Sequence, residues 1–139
     1  MTVYFDNAAT TKVCPEAAEA VTRALTEDYG NPSSGYALGR SAAAQLRAAR
    51  ENIAAAMGAS TEEVFFTSGG TEGDNWAIRG AAYLQRHKCR HIITSRVEHD
   101  AVRQTMQALE RDGWEVTWLT PDKSGAVTVE QVKIGRAHV

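Results

Sequence analysis

The sequence predicts an α/β fold in three layers, a mainly parallel sheet flanked by helices. Two observations carry this expectation. Amphipathic helical stretches alternate with short β-branched and aromatic runs, and their β-α-β-α-β order implies right-handed crossovers between parallel strands. With 139 residues, 43% of them hydrophobic, the chain can bury one core, so one compact unit is expected.

Each element has its own signal. Pro15 suits the first turn of a helix, and Ala18, Val21 and Leu25 recur at helical spacing until Gly30 can close it. The breaker cluster Asn31-Pro32-Ser33-Ser34-Gly35 follows, and then a long alanine-rich helix marked by Leu46, Ala49, Ile53 and Met57 and ending at Gly58. Val64-Phe65-Phe66-Thr67 reads as a buried strand, leading through Gly69-Gly70 into a third helix that carries Trp76, Ile78 and Leu84. Ile92-Ile93-Thr94 is a second strand. Val102, Met106 and Leu109 form the face of a fourth helix, and Val116 to Leu119 is a third strand.

Composition narrows the function. The formal net charge is −2, with Lys and Arg scattered among acids, so no nucleic acid contact is expected. The first six residues reach an acid without a basic or apolar leader region, and no run nears the roughly 18 apolar residues of a membrane span. A soluble, cytoplasmic chain without a membrane partner is expected. Cys14 and Cys89 lie far apart, which fits neither a disulfide scaffold nor a zinc ribbon, and Cys14 is expected to pack near the start of the first helix. His87-Lys88-Cys89-Arg90-His91 has metal-binding residue types but no identifiable partner ligands. It reads as a solvated turn, and no metal is expected.

The most informative segment is Phe66-Thr67-Ser68-Gly69-Gly70-Thr71-Glu72-Gly73-Asp74-Asn75, which sets small residues and hydroxyls between a strand end and a helix start. Ligands of open α/β sheets sit at such places. Glycines let backbone N–H groups approach an anion, and a helix N-terminus adds unpaired donors and the positive end of its dipole. Two readings stand: a phosphate site, or a plain helix cap in which Thr71 and Asp74 form a capping box. The spacing matches neither GxxxxGK[ST] nor GxGxxG, so a nucleoside triphosphate or dinucleotide is disfavoured.

Four motifs in order, Asp6-Asn7-Ala8-Ala9-Thr10-Thr11, Gly30-Asn31-Pro32-Ser33-Ser34, Phe66 to Glu72 and Ser95-Arg96-Val97-Glu98-His99, resemble those of the cysteine desulfurases in the class V aminotransferase group. The resemblance reaches to about Lys133. It implies the N-terminal part of the fold type I pyridoxal-phosphate transferase fold, truncated, with pyridoxal 5'-phosphate as cofactor. Gly70 and Thr71 would hold the cofactor's phosphate, and His99 would stack on its ring and help move protons as a catalytic residue. A lone His after a strand is in general more often a surface residue than a catalytic one; the four-motif context favours the functional role. Asn7, Ala8, Ala9 and Thr10 would line the substrate side, the alternative being a turn in which Asn adopts unusual dihedrals. Tyr36 stands where many relatives carry His, and Gly73 where Ala or Ser is usual.

The resemblance further implies a homodimer that takes sulfur from L-cysteine. Alanine is left, and a protein-bound persulfide passes its sulfur to an acceptor protein, a scaffold or carrier, for iron–sulfur cluster assembly or tRNA thiolation. In this scheme the cofactor's pyridine ring is the electron sink, and a cysteine attacks the substrate sulfur. Alternatives are a selenocysteine lyase, another class V enzyme or a non-catalytic scaffold. The family's Schiff-base lysine, persulfide cysteine and substrate-binding arginine are expected beyond residue 139, because Lys12, Lys88, Lys123 and Lys133 lack a Ser-x-His-Lys setting. Residues 1–133 are thus expected to be the N-terminal part of a desulfurase. Ile134 to Val139 breaks the helical pattern, resembles a translated sequencing adapter and is expected to be a non-native tail. The purified 139-residue chain should release no sulfide from cysteine, and its release would contradict these assignments.

Overall fold

The structure, a computed structural model, describes residues 3–136. In place of the single unit expected from length, the chain forms two compact units that divide between Phe65 and Phe66.

The first unit is helical. Helix α1 (Pro15–Thr26) starts at its proline as expected but ends before Gly30. The Arg23 carbonyl accepts from both Glu27 and Asp28 N–H, and the Arg23 guanidinium holds Asp28 at 3.1 Å, which folds the chain back over the last turn. Gly30 instead permits a close approach, since a Cβ there would stand 2.4 Å from the Leu38 carbonyl oxygen. Helix α2 (Ala37–Met57) ends as expected at Gly58, whose φ of 65° is left-handed. Gly58 N–H reaches Ala55 O and Ala59 N–H reaches Ala54 O, which together close the helix as a Schellman motif. A single 3₁₀ turn (Thr61–Glu63) follows, pinned by the Glu63 carboxylate, which accepts from Ser60 N–H and Ser60 Oγ. Little of this unit is buried: α1 has no buried residue, and Cys14, expected to pack, is exposed at its N-cap.

Val64 to Thr67 is not a strand. Val64 has extended dihedrals, but a strand needs ladder pairing as well as an extended backbone, and the two-stranded sheet found among the described residues does not include this segment.

The second unit contains α3 (Gly70–Gln85), β1 (His91–Ser95), α4 (Asp100–Arg111), β2 (Glu115–Leu119) and α5 (Val129–Arg136). Strands β1 and β2 pair in parallel, with Ile92 beside Val116 and Thr94 beside Trp118, so α4 is the crossover of a βαβ unit. Alternation puts Ile92, Val116 and Trp118 on one face, where they pack against Ala82, Met106, Leu109 and Trp114. Helix α4 stops at Asp112, and Gly113, at φ 84°, turns the chain so that Trp114 N–H returns to Leu109 O. His91, expected in a solvated turn, opens β1 and reaches Thr117 Oγ1 at 2.7 Å with its Nε2.

Helix α3 carries the expected face only in part. Ile78 joins the core, but Trp76 and Leu84 are exposed, Leu84 by 73%. Helix α5 was not expected from periodicity. It starts at a Thr128/Gln131 capping box and runs through Arg136, past the expected break at Ile134. Ala137, His138 and Val139 of the expected tail lie outside the described residues. No helix among the described residues is long and apolar enough to cross a membrane.

Truncating the core residue Leu109 to Ala should cost about 2–5 kcal/mol, whereas Leu84→Ala should stay within about 0.5 kcal/mol. Urea unfolding of both variants checks this, and equal losses would contradict the core described above.

Candidate functional site

Helix α3 begins where the extended chain meets two residues without side chains. Gly69 is its N-cap and Gly70 its first residue, and a Cβ added at either would meet nothing within 4 Å. The first N–H groups of an α-helix have no carbonyl four residues back inside the helix, so those of Gly70 and Thr71 are donors beside open space. The capping box read from Thr71 and Asp74 is not formed, because the helix begins at Gly70 with Gly69 as its N-cap, which puts Thr71 inside the first turn. Glu72 serves the loop instead: its Oε2 accepts from Ser68 N–H at 2.6 Å. At Gly73 an added Cβ would meet Thr67 Oγ1 at 3.7 Å, an ordinary contact.

Helix α4 begins with His99 as its N-cap. Its Nδ1 accepts from Ala101 N–H at 3.1 Å, so in the neutral ring the proton sits on Nε2. The imidazole is thereby fixed in tautomer and in direction by the helix it caps. The neighbouring acids are committed as well. Glu98 accepts from Ser95 Oγ at 2.6 Å, and Asp100 pairs with Arg103 at 2.6 Å. The Arg103 hydrogen bond and charge hold the Asp100 carboxyl below its ordinary value.

The two helix starts share one cleft of about 660 Å³, lined by Thr71, Asn75 and Arg79 of α3, by His99, and by Thr105 and Arg111 of α4. The structure thus brings Thr71 and His99 together, with Gly70 one residue before Thr71. Asn7, Ala8, Ala9 and Thr10 belong to the other unit, in an exposed turn where Ala9 N–H and Thr10 N–H return to Asp6 O. The turn expected there is present, but no described residue other than glycine has a positive φ, so Asn7 uses no unusual dihedral. Tyr36 is the exposed N-cap of α2 and makes no side-chain cap bond.

Two cleft residues escaped the sequence reading. Asn75 Nδ2 donates to Thr71 O at 2.9 Å, and Asn75 Oδ1 accepts from Thr105 Oγ1 at 2.7 Å and from Arg79 Nε at 3.3 Å. The spacing of Thr71, Asn75 and Arg79, each four residues apart, was the available signal for one polar helix face.

The donors suit a phosphate monoester and the imidazole suits a heteroaromatic ring. The class-V aminotransferase profile matches residues 3–137. The chain belongs to that family. Its members are pyridoxal-phosphate-dependent enzymes. A cysteine desulfurase IscS of Methanosarcina thermophila is 49% identical over 94% of this chain, and one of Clostridium botulinum is 46% identical over the same share. The match takes up 32% and 33% of those relatives, so the chain spans about a third of their length. Among solved structures, a NifS-like protein superposes with a TM-score of 0.90 at 39% identity, covering 96% of this chain and 37% of its own. SspA in complex with cysteine follows the same path, with a TM-score of 0.86, 38% identity and coverage of 96% and 38%. These likenesses place the parallel βαβ unit and its helices in the α/β fold expected from sequence.

The Glu72 carboxyl is held below its ordinary 4.5, first by the Ser68 backbone N–H and then by the Ser68 side chain. A carboxyl whose folded value is lowered stabilises the fold fully above its unfolded value, and that support is lost as pH falls through the folded one. The Ser68 amide resonance should therefore titrate with a midpoint below 4.5, and Glu72→Gln should abolish the step. A midpoint at or above 4.5 in an NMR titration would contradict this capping role.

Proposed function

We propose that this chain is the cofactor-phosphate and ring-binding portion of a pyridoxal-phosphate-dependent cysteine desulfurase. The observation that carries the reading is the single cleft shared by Thr71 and His99 at the starts of α3 and α4. Relatives named cysteine desulfurase over 94% of the chain, and a structural neighbour solved with cysteine, support L-cysteine as the substrate of the whole protein. A sulfur-acceptor protein and a homodimer belong to the same proposal.

The roles follow from the residues. Gly70 and Thr71 offer backbone N–H groups to the cofactor's phosphate, with the helix dipole favouring the negative charge and the Thr71 hydroxyl adding a donor. Gly69 and Gly70 keep side chains out of that approach. His99 presents an imidazole whose Nδ1 is occupied by Ala101 N–H, leaving the Nε2 proton as the one it can share with a ring or a substrate group. When bound, pyridoxal 5'-phosphate supplies an electron sink that no side chain offers. The Asn7–Thr10 turn, with Tyr4 OH donating to Asp6 O at 2.7 Å and lying 3.2 Å from Thr10 O, is proposed as the substrate-side loop.

The test is direct binding to the chain. Pyridoxal 5'-phosphate should quench intrinsic fluorescence saturably, Thr71→Val should weaken binding about tenfold, and His99→Ala should weaken it by a similar factor. Binding that neither substitution changes would overturn the assignment.

A further inference from the structure

A hydrogen-bonded path joins the two ends of the cleft. Thr71 O accepts from Asn75 Nδ2, and Asn75 Oδ1 accepts from Thr105 Oγ1 at 2.7 Å. Thr105 Oγ1 also stands 2.7 Å from Ala101 O, and Ala101 N–H donates to His99 Nδ1. Thr105 is 2% exposed, the most deeply buried side chain among the described residues of its unit, and it is polar. A buried hydroxyl costs free energy unless it is bonded, and this one is bonded to both helices.

The amide of Asn75 has only one satisfactory orientation. Its Nδ2 lies 2.9 Å from the Thr71 carbonyl, and its Oδ1 faces the Arg79 Nε–H. Flipping the amide would set oxygen against oxygen at Thr71 and N–H against N–H at Arg79. With Oδ1 so placed, it can only accept, and the single proton of Thr105 is shared between Asn75 Oδ1 and Ala101 O. The amide and the hydroxyl therefore act together: each fixes the other's rotamer, and both are tied to the backbone of a cleft-forming turn.

We infer that Asn75 and Thr105 are positioning residues that set the distance between the anion-binding start of α3 and the imidazole at the start of α4. The inference rests on the cofactor reading of this cleft. Its consequence is selective. A ligand that touches only the Thr71 end, such as inorganic phosphate, does not sense the spacing. A ligand held at both ends, with a phosphate at Thr71 and a ring at His99, does.

The experiment compares the affinities of inorganic phosphate and of pyridoxal 5'-phosphate for the 139-residue chain and its Thr105→Val, Thr105→Ser and Asn75→Ala variants, with urea unfolding run in parallel. Thr105→Val removes the hydroxyl at nearly constant volume. It should weaken pyridoxal 5'-phosphate about tenfold while leaving phosphate within twofold, and Thr105→Ser should restore the preference. If Thr105→Val does not fold, Asn75→Ala, which suits a helix interior, carries the same expectation. A folded Thr105→Val or Asn75→Ala chain that keeps the full preference overturns the positioning role alone. A native chain that binds pyridoxal 5'-phosphate no better than phosphate overturns the two-ended cofactor reading itself, and the positioning role with it.

Discussion

The contact between the Thr105 hydroxyl and the Asn75 amide holds the second unit's two site-bearing helices in register. Apolar packing brings α3 and α4 together through Ala82, Met106 and Leu109, but such packing is non-directional and tolerates sliding. A hydrogen bond between two buried or half-buried side chains does not. Because Thr105 also reaches Ala101 O, and Ala101 N–H caps His99, the same contact reaches the imidazole through one turn of helix. The opposite end of the cleft is set just as locally, by Glu72 reaching back to Ser68 N–H and by the two glycines that begin α3. Both ends are therefore built from helix-start chemistry, in which unsatisfied backbone donors meet either a capping side chain or open space.

Burial is unevenly distributed. In the second unit one face of the two-stranded sheet is closed by α3 and α4, Trp114 lies in the core and Trp118 packs against it, donating Nε1–H to Glu110 at 2.8 Å. In the first unit the helices are well formed by local means, the proline start of α1 and the Schellman close of α2, yet Leu25 and Met57 remain about three-quarters exposed, at 74% and 75%. Helix formation there is decided by caps and propensity rather than by a core. The function of the site accordingly depends on the second unit's packing.

What was legible in the sequence was whatever short-range physics decides. The parallel pair β1–β2, the face of α4 and the Gly58 stop could all be read, because alternation, a 3.6-residue period and a left-handed glycine are local signals. The Val64–Thr67 segment was not, since its composition specifies an extended backbone but not a ladder partner. Trp76 and Leu84 show the same limit for a helix: periodicity identifies an apolar face without saying what covers it. In the candidate site, ordered motifs around a glycine turn and a strand end pointed to Thr71 and His99, and both line the cleft. Asn75 and Thr105 were missed because they are polar residues on helix interiors, and their importance comes from meeting each other across 30 positions of sequence.

In the proposed reading, the starts of α3 and α4 form one two-ended ligand site. Amide and imidazole chemical-shift mapping of the chain tests it most directly, comparing pyridoxal 5'-phosphate with pyridoxal. Pyridoxal 5'-phosphate is expected to move the Gly70 and Thr71 amides together with the His99 ring resonances, and pyridoxal to leave the two amides unmoved. Shifts confined to one end of the cleft, or centred elsewhere in the chain, would contradict it.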